Sequence, residues 1–172
     1  MLQSVSLHDF DALYDIMTKS FPTDELRPYA LQRALFARED YRVYGLFDGA
    51  ELQAFMAVYT LEKALFVEHF AVSAKYRNQG LGAKLLQELI AGSELPLCLE
   101  VEPPRTVLAK RRIGFYERNG FFYNDFPYFQ PPLAEGQKPV ELKLMTTGHP
   151  LSETEFQKLK ALLHTRVYQK AK

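Results

Sequence analysis

The segment from Glu68 to Gly82 constrains the fold of this chain more than any other part of the sequence. It begins with a strand pattern, passes through a turn that contains Arg77, Gly80 and Gly82, and continues into a stripe of leucines at helical spacing. The backbone N–H groups of such a turn converge on one point, the helix dipole adds positive potential there, and the two glycines leave room for phosphate oxygens. The segment therefore predicts a strand, a loop and a helix that together hold a pyrophosphate.

Two familiar phosphate-binding motifs do not fit this loop. No Lys-Ser or Lys-Thr pair follows the glycines, as a P-loop requires, and Gly80-Leu81-Gly82 lacks the third glycine of a dinucleotide-binding fingerprint. A glycine-rich helix start that binds nothing is the simpler interpretation of the loop taken alone. The choice between the two interpretations depends on motifs elsewhere in the chain.

The rest of the chain alternates helical and strand patterns. The predicted helices cover residues 9–20, 24–38, 80–92, 107–119 and 152–169, and the predicted strands cover residues 41–47, 52–59, 64–72, 95–102, 121–124 and 140–145. Asp48-Gly49 predicts a tight turn between the first two strands, and residues 152–155 form a capping box that opens the last helix. Residues 127–139 are rich in proline and are predicted to form a loop. Strands that alternate with helices in this way indicate a mixed α/β domain.

Length and composition exclude several classes of protein. A chain of 172 residues, 47% of them hydrophobic, suits a single domain over residues 1–172. Twenty-one Lys and Arg balance twenty-one Asp and Glu, and this zero net charge argues against a nucleic-acid partner. The single cysteine, Cys98, cannot form an internal disulfide and has no neighbours at zinc-ligand spacing, so we expect no metal. No apolar run approaches the roughly 20 residues of a membrane span, and no signal-peptide pattern is present, so we expect a cytoplasmic protein without a membrane partner.

Three motifs in register identify a family. The segment Arg77–Gly82 fits the pattern of Arg or Gln, two residues, Gly, one residue, then Gly or Ala, and both the strand end Phe70–Val72 and the later segment Gly114–Phe121 occur in the expected order. In these motifs the chain resembles the GNAT superfamily of acyl-CoA-dependent N-acetyltransferases, over about Val5 to Met145. The resemblance implies a mixed, mostly antiparallel, twisted sheet flanked by helices, to which the helix of residues 152–169 is an addition.

The resemblance also implies how acetyl-CoA, the cosubstrate, is bound. The backbone of the strand end would pair with the pantetheine arm, the loop would cradle the pyrophosphate, and the two residues after it would complete the first turn of the helix. The implied contacts are Phe70, Ala71, Val72, Arg77, Asn78, Gln79, Gly80, Leu81, Gly82, Ala83 and Lys84. One departure concerns Ala109, which stands where many members carry an Asn, so the side-chain hydrogen bond that this Asn would give to the cosubstrate is not expected here.

Acetylation of an amine needs a neutral nucleophile, a polarised thioester carbonyl and an acid that returns a proton to the departing thiolate. By the resemblance, Tyr116 is the acid. Two carboxylates compete for the role of base, Glu68 and Glu100, because each interrupts an apolar strand and each indicates a hydrated cleft or an ion pair at the end of the sheet. The sequence leaves the choice between them open.

The alternation of side chains along a strand assigns each of these carboxylates to a face. Glu68 is predicted to share a face with Phe70 and Val72, with His69 on the opposite face. Glu100 is predicted to share a face with its strand neighbours Cys98 and Glu102. On this reasoning His69 is a core residue, and Cys98 is a small buried side chain that does not act as a nucleophile.

Two regions are expected to bind the acceptor, the first two helices and the loop between the last strands. The candidate contacts are Glu25, Arg27, Tyr29 and Tyr128. Tyrosine-rich walls with nearby carboxylates favour a cationic amine that then loses its proton. The leading hypothesis is therefore acetyl transfer to the primary amine of a small molecule.

Two alternatives stay open at this stage. The first is an N-terminal acetyltransferase of the ribosomal-protein type, because Leu99–Glu102 resembles the corresponding strand of those enzymes. The second is a regulatory module that binds CoA without turnover. A free sheet edge and the terminal helix also offer surfaces for a homodimer.

Overall fold

The computed structural model describes residues 2–168, and within that range it contains five α-helices, seven strands and four short 3-10 helices. The helices are α1 (Phe10–Ser20), α2 (Tyr29–Ala34), α3 (Leu81–Ala91), α4 (Val107–Arg118) and α5 (Glu153–Arg166). The strands are β1 (Gln3–Ser4), β2 (Tyr41–Asp48), β3 (Glu51–Thr60), β4 (Leu65–Val72), β5 (Leu97–Val101), β6 (Phe121–Gln130) and β7 (Val140–Thr147). The predicted terminal helix began one residue early, and its predicted end at residue 169 lies outside the described residues.

The seven strands form one sheet in the order β1-β2-β3-β4-β5-β7-β6. Neighbouring strands are antiparallel except for β4 and β5, which are parallel. This arrangement confirms the predicted mixed, mostly antiparallel sheet flanked by helices. Within the described residues no helix is long and apolar enough to cross a membrane.

The parallel strands β4 and β5 stay together over a short distance only. Leu65 pairs with Leu97, Phe66 with Cys98 and Val67 with Leu99, and the pairing ends there. Strand β4 nevertheless continues to residue 72 along β3, and β5 continues to residue 101 along β7. Beyond the last pair, the facing edges of the two strands are therefore open to a bound molecule.

Each face of the sheet has its own core. On one face α3 and α4 bury Leu85, Leu86 and Ile113 against the strands, and on the other face α1 and α5 bury Phe10 and Phe156. Burial of such side chains is worth roughly 1.5–3 kcal/mol each. Helix α5 is thus an integral part of the second core, although it lies outside the region of resemblance.

A β-bulge at Glu68 changes the predicted alternation of β4. Ala57 of β3 faces His69 while the next residue, Val58, faces Val67, so Glu68 is an extra residue in β4. Because a bulge inserts one unpaired residue, the side chains of Glu68 and His69 both lie on the α1 side, where they contact each other. Phe70 packs in the opposite core. The predicted grouping of Glu68 with Phe70 and Val72, opposite His69, is therefore wrong.

Two element boundaries also differ from the prediction, and a proline lies near each of them. The predicted helix 24–38 is reduced to α2, which begins directly after Pro28, because a residue that precedes proline is disfavoured in helical conformation. The predicted loop 127–139 begins later, because β6 runs through Pro127 to Gln130. A register shift between Asn124 and Tyr128 accommodates the proline on this edge strand.

Candidate active site

A cavity of about 650 Å³ occupies the gap between the parted strands β4 and β5. Its walls come from the end of β4, the loop before α3, the end of β5, the inner face of α4 and the segment that follows α1. The cavity therefore lies where the sheet leaves backbone edges unpaired and where the N-terminus of α3 points.

Most of the residues implied for the cosubstrate line this cavity. They are Phe70, Ala71, Val72, Arg77, Asn78, Gly80, Leu81, Gly82 and Ala83. Gln79 and Lys84 are not among the lining residues. Nine of the eleven residues that the resemblance implies for the cosubstrate therefore lie along one cavity.

The loop before α3 has the backbone of an anion site. Asn78 and Gly80 adopt left-handed conformations, with φ of 62° and 75°, and Gly80 caps the helix. The first helical hydrogen bond runs from the Lys84 N–H to the Gly80 carbonyl, so the N–H groups before it have no acceptor within the helix. Such unpaired N–H groups at a helix N-terminus bind anionic oxygens.

Gly82 lies in the first turn of α3, next to the side chains at the end of β4. A Cβ atom at this position would lie 3.4 Å from Cζ of Phe70 and 3.5 Å from Cγ2 of Val72, which are ordinary contacts. The first turn of α3 therefore packs directly against the end of β4. This close packing brings the helix N-terminus next to the open edge of the strand.

Glu68 and Glu100 follow the last paired residues of β4 and β5, so they lie at the same level of the sheet. The side chain of Glu68 is 2% exposed, and the guanidinium of Arg27 contacts both of its carboxylate oxygens, at 2.9 and 2.8 Å. Burial is the largest single effect and would raise the pKa of Glu68, but the charge of Arg27, its hydrogen bond and the smaller effects of His69 and Arg38 together outweigh burial, and the pKa lies below its ordinary value. Glu68 does not line the cavity.

Glu100 has a different environment and does line the cavity. Its Oε2 accepts a hydrogen bond of 2.5 Å from the Tyr128 hydroxyl, and its Oε1 accepts one of 2.5 Å from the Tyr168 hydroxyl. Burial raises the pKa of Glu100 to about 7, against the opposing effect of these two hydrogen bonds. A carboxyl with this pKa can release and accept a proton near neutral pH.

Tyr116 lines the same cavity from α4. Its ring packs against those of Phe70, Phe115 and Phe121, with centroid separations of 6.3, 5.3 and 5.6 Å. Burial raises the pKa of Tyr116 to about 12, so its hydroxyl stays protonated at neutral pH. No residue between 2 and 168 shares a hydrogen bond with this hydroxyl, which leaves it available to a ligand.

Only one of the four residues predicted to contact the acceptor lines the cavity, and it is Glu25. Arg27 is occupied by the buried pair with Glu68. Tyr29 lies at the surface, where its hydroxyl donates to Asp11. Tyr128 is fully buried behind Glu100. The prediction that these last three residues contact the acceptor directly has no support in this geometry.

The segment that carries Glu25 is held by hydrogen bonds from two other elements. The Nε2 atom of His69 lies 2.8 Å from the Glu25 carbonyl oxygen, and burial lowers the pKa of His69 so that it is neutral. Side-chain amides from the other end of the sheet complete the support, because Gln130 donates to the Asp24 carbonyl and Gln137 to the Leu26 carbonyl. These hydrogen bonds to backbone carbonyls hold residues 24–26 in place, and with them Glu25 at the cavity wall.

The site also contains residues outside the predicted catalytic and binding set. Glu102 and Arg112 line the cavity and approach each other to 3.7 Å. The alternation of side chains along the strand indicated that Glu102 lies near the site, because it shares a face with Glu100. Tyr168 had no such signal, because its contact with Glu100 depends on how α5 packs on the sheet.

Comparisons with known proteins agree with this geometry. A family model described as an acetyltransferase (GNAT) domain matches residues 32–122. The protein YjbC of Bacillus subtilis (strain 168), which is named as an acetyltransferase, is 28% identical over 155 residues, which are 88% of this chain and 78% of YjbC. A solved structure of a GNAT-family protein from Bacteroides thetaiotaomicron is 31% identical, covers 99% of both chains and superposes with a TM-score of 0.90.

A more distant structure shares the fold. It is a GNAT-family acetyltransferase from Elizabethkingia anophelis with acetyl-CoA bound, which is 16% identical, covers 87% of this chain and 97% of its own, and has a TM-score of 0.61. At this identity the likeness concerns the fold alone.

The buried pair of Arg27 and Glu68 leads to a prediction about stability. Arg27→Met leaves the Glu68 carboxylate buried without its counter-ion, and we expect the free energy of unfolding to fall by about 3–5 kcal/mol in urea titrations at pH 7. The double variant Arg27→Met/Glu68→Gln leaves no buried charge unpaired and should lose less than the sum of the single variants.

The matched control is Lys19→Met, which breaks an exposed pair with Asp15 and should cost less than about 1 kcal/mol. Because the pKa of Glu68 is lowered in the folded state, the contribution of the pair is present above the unfolded pKa near 4.3 and is lost as the pH falls through the folded pKa. Equal losses for Arg27→Met and Lys19→Met would contradict the prediction.

Proposed function

This chain belongs to the GNAT family of acetyltransferases, and from that premise we propose that it transfers an acetyl group from acetyl-CoA directly to the primary amine of a small cationic molecule. The observation that carries the proposal is Glu100, a half-buried carboxyl with a pKa of about 7 that lines the same cavity as Tyr116 and the N-terminus of α3. One cavity thus combines a proton acceptor, a proton donor and an anion site.

The residues around the cavity fit acetyl-CoA. The unpaired N–H groups at the start of α3 suit a pyrophosphate, and the open edge of β4 after Val67 offers backbone groups to an extended amide chain. Acetyl-CoA supplies the thioester carbonyl that is attacked and the thiolate that leaves. Arg77, whose Nε donates to the Val72 carbonyl, lies where the strand meets the loop and adds positive charge to that wall.

Glu100 is the group best suited to act as the base. An amine that enters as an ammonium ion must lose a proton before it attacks, and a carboxylate with a pKa near the working pH is an efficient acceptor. Glu68 is unsuited to this role, because Arg27 neutralises it and it lies outside the cavity wall. We therefore assign the base to Glu100 and a structural role to Glu68.

Tyr116 is the group best suited to act as the acid. Its hydroxyl is protonated at neutral pH, and its ring packs against the rings of Phe70 and Phe115 at the cavity wall. Donation of its proton to the developing thiolate stabilises the leaving group where charge appears. A thiolate formed without a donor in such a cavity would be an unpaired buried charge, which is costly.

The charge of the cavity wall supports a cationic acceptor. Glu25 and Glu102 line the cavity together with Glu100. Burial raises the pKa of Glu25, and the charge of the neighbouring Glu102 raises it further, so the two carboxylates are close enough to repel each other. Arg112 offsets part of this charge through its contact with Glu102. An ammonium group approaching these carboxylates is attracted before it is deprotonated.

The loop before α3 leads to a prediction about CoA binding. Gly80→Ala places a Cβ in a left-handed conformation, at a cost of about 1–2 kcal/mol, which corresponds to a loss of roughly five- to thirtyfold in affinity for CoA if the loop must keep its shape. Isothermal titration calorimetry measures the Kd for CoA of the variant and of the unmodified protein.

Gly82→Ala is the matched control in the same loop. Its Cβ meets only ordinary contacts, and we expect no measurable loss of affinity. Equal affinities for Gly80→Ala and the unmodified protein would show that the left-handed turn is not needed for CoA.

The base assignment leads to a prediction about pH. Because the pKa of Glu100 is raised to about 7, its proton-accepting form predominates above that pH, and kcat/KM should fall as the pH drops through 7. Glu100→Gln removes the acceptor and should lower kcat/KM by roughly 10²–10⁴-fold at pH 8. The control is Glu117→Gln, which changes an exposed carboxylate outside the cavity. A Glu100→Gln variant with full activity at every pH would refute the assignment.

The acid assignment is tested together with the choice of acceptor. Release of CoA thiol from acetyl-CoA is followed with a panel of diamines, monoamines and peptides with free N-termini. We expect turnover with diamines, and we expect Tyr116→Phe to lower kcat by roughly 10²–10⁴-fold while CoA affinity is kept. Turnover with peptides only would favour the N-terminal acetyltransferase. Binding of CoA without turnover on any acceptor would favour the silent module.

A further inference from the structure

Both carboxylate oxygens of Glu100 are held by tyrosines from distant parts of the chain. Tyr128 comes from the edge strand β6 and donates to Oε2, and Tyr168 follows α5 and donates to Oε1. Both rings are buried, with exposed fractions of 0% and 9%. Tyr168 belongs to the segment after Met145, to which the family resemblance assigns no role.

We propose that Tyr168, together with Tyr128, is a positioning residue that fixes the orientation of the Glu100 carboxylate by direct hydrogen bonds and favours its ionised form. The inference rests on the proposed function, because it takes Glu100 as the base. Neither tyrosine lines the cavity, so both act through Glu100 and not on the substrate.

The electrostatic surroundings of Glu100 show why two donors are needed. Burial raises the pKa of Glu100, and the neighbouring charges of Glu68 on β4 and Glu25 after α1 raise it further. On its own strand the thiol of Cys98 is kept neutral by burial, and His164 on α5, whose ring lies beside both tyrosine rings, has a lowered pKa because of burial. The nearest buried cation, Arg27, is committed to Glu68.

Only the two hydroxyls therefore favour the ionised form of Glu100 by direct contact. Hydrogen bonds donated to a carboxylate lower its pKa, since they stabilise the charged form. Without them the carboxyl would stay protonated at neutral pH and would have no free acceptor for the proton of the amine.

The two donors also determine which lone pairs face the substrate. Each carboxylate oxygen has two lone pairs, and one on each oxygen is used by a tyrosine, so one on each remains for a ligand in the cavity. The rings themselves are held by edge contacts, Tyr128 on Phe156 and Tyr168 on Phe66, with centroid separations of 6.3 and 6.4 Å. The direction of the remaining lone pairs is thus fixed by the packing of the core.

Helix α5 is the element that brings Tyr168 to this position. Its buried residues Phe156 and Leu163 anchor it on the sheet, and Val167 extends the same core up to the tyrosine. Covering this face of the sheet needs apolar side chains only. A hydroxyl directed at a carboxylate in the cleft is a feature that covering the sheet does not explain.

The test compares Tyr168→Phe and Tyr128→Phe with Tyr59→Phe. All three tyrosines are buried in the same core, but the hydroxyl of Tyr59 has no hydrogen-bond partner within residues 2–168, so its removal is the matched control. The side-chain carboxyl carbon of Glu100 is titrated by NMR in the ligand-free protein labelled with ¹³C-glutamate, and its signal is assigned from Glu100→Gln. Each of the first two variants should raise the titration midpoint by about one pH unit or more, and Tyr59→Phe should leave it unchanged.

The pH dependence of kcat/KM is measured for the same variants with one acceptor. Its acid limb should move to higher pH by the same amount as the NMR midpoint, with activity recovering at alkaline pH, a rescue that mere loss of stability would not give. An unchanged midpoint in both Tyr168→Phe and Tyr128→Phe overturns the proposal. If the midpoint moves but the limb does not, the tyrosines do hold Glu100 and the assignment of Glu100 as the base is what fails.

Discussion

The short pairing of β4 with β5 is the constraint on which the rest of this structure depends. A parallel pair that continued past Val67 and Leu99 would close the sheet and leave no cavity. The pairing ends where the bulge at Glu68 begins, and the extra residue bends β4 away while β3 follows it on the other side. The side chain of the bulge residue Glu68 is held by its contact with Arg27, at the position where β4 is no longer paired with β5.

The same point in the sheet explains how two similar carboxylates acquire different chemistry. Glu68 and Glu100 occupy equivalent positions on adjacent strands. One has a guanidinium as partner and stays ionised, whereas the other has only neutral hydroxyls and titrates near pH 7. Neighbouring groups whose pKa values are driven apart in this way are typical of acid–base sites. Their environments, and not their positions in the sequence, separate the two roles.

The sequence predicted what depends on local backbone and failed where distant segments meet. The loop from Arg77 to Gly82 was predictable because its conformation, its charge and the helix that follows are encoded within a few residues. The bulge at Glu68 was not, since no glycine or proline marks it and alternation continues undisturbed in the sequence.

Arg27 illustrates the same limit for side chains. Its charge and its place at a bend were compatible with an acceptor contact, but its partner lies 41 residues further along the chain. Tyr168 and Glu100 are separated by 68 residues, and only the docking of α5 brings them together.

This division of the structure has a consequence for how the activity depends on folding. The anion site is built from one continuous stretch, β4, its loop and α3, so its backbone groups are organised by contacts that are close in sequence. The environment of Glu100 instead requires β5, β6 and the end of α5 at once. Loosening of α5 would therefore remove a donor from Glu100 while leaving the loop before α3 intact. Under the assignments proposed above, binding of the cosubstrate depends on the loop before α3 and proton transfer depends also on the packing of α5, so loss of the second need not entail loss of the first.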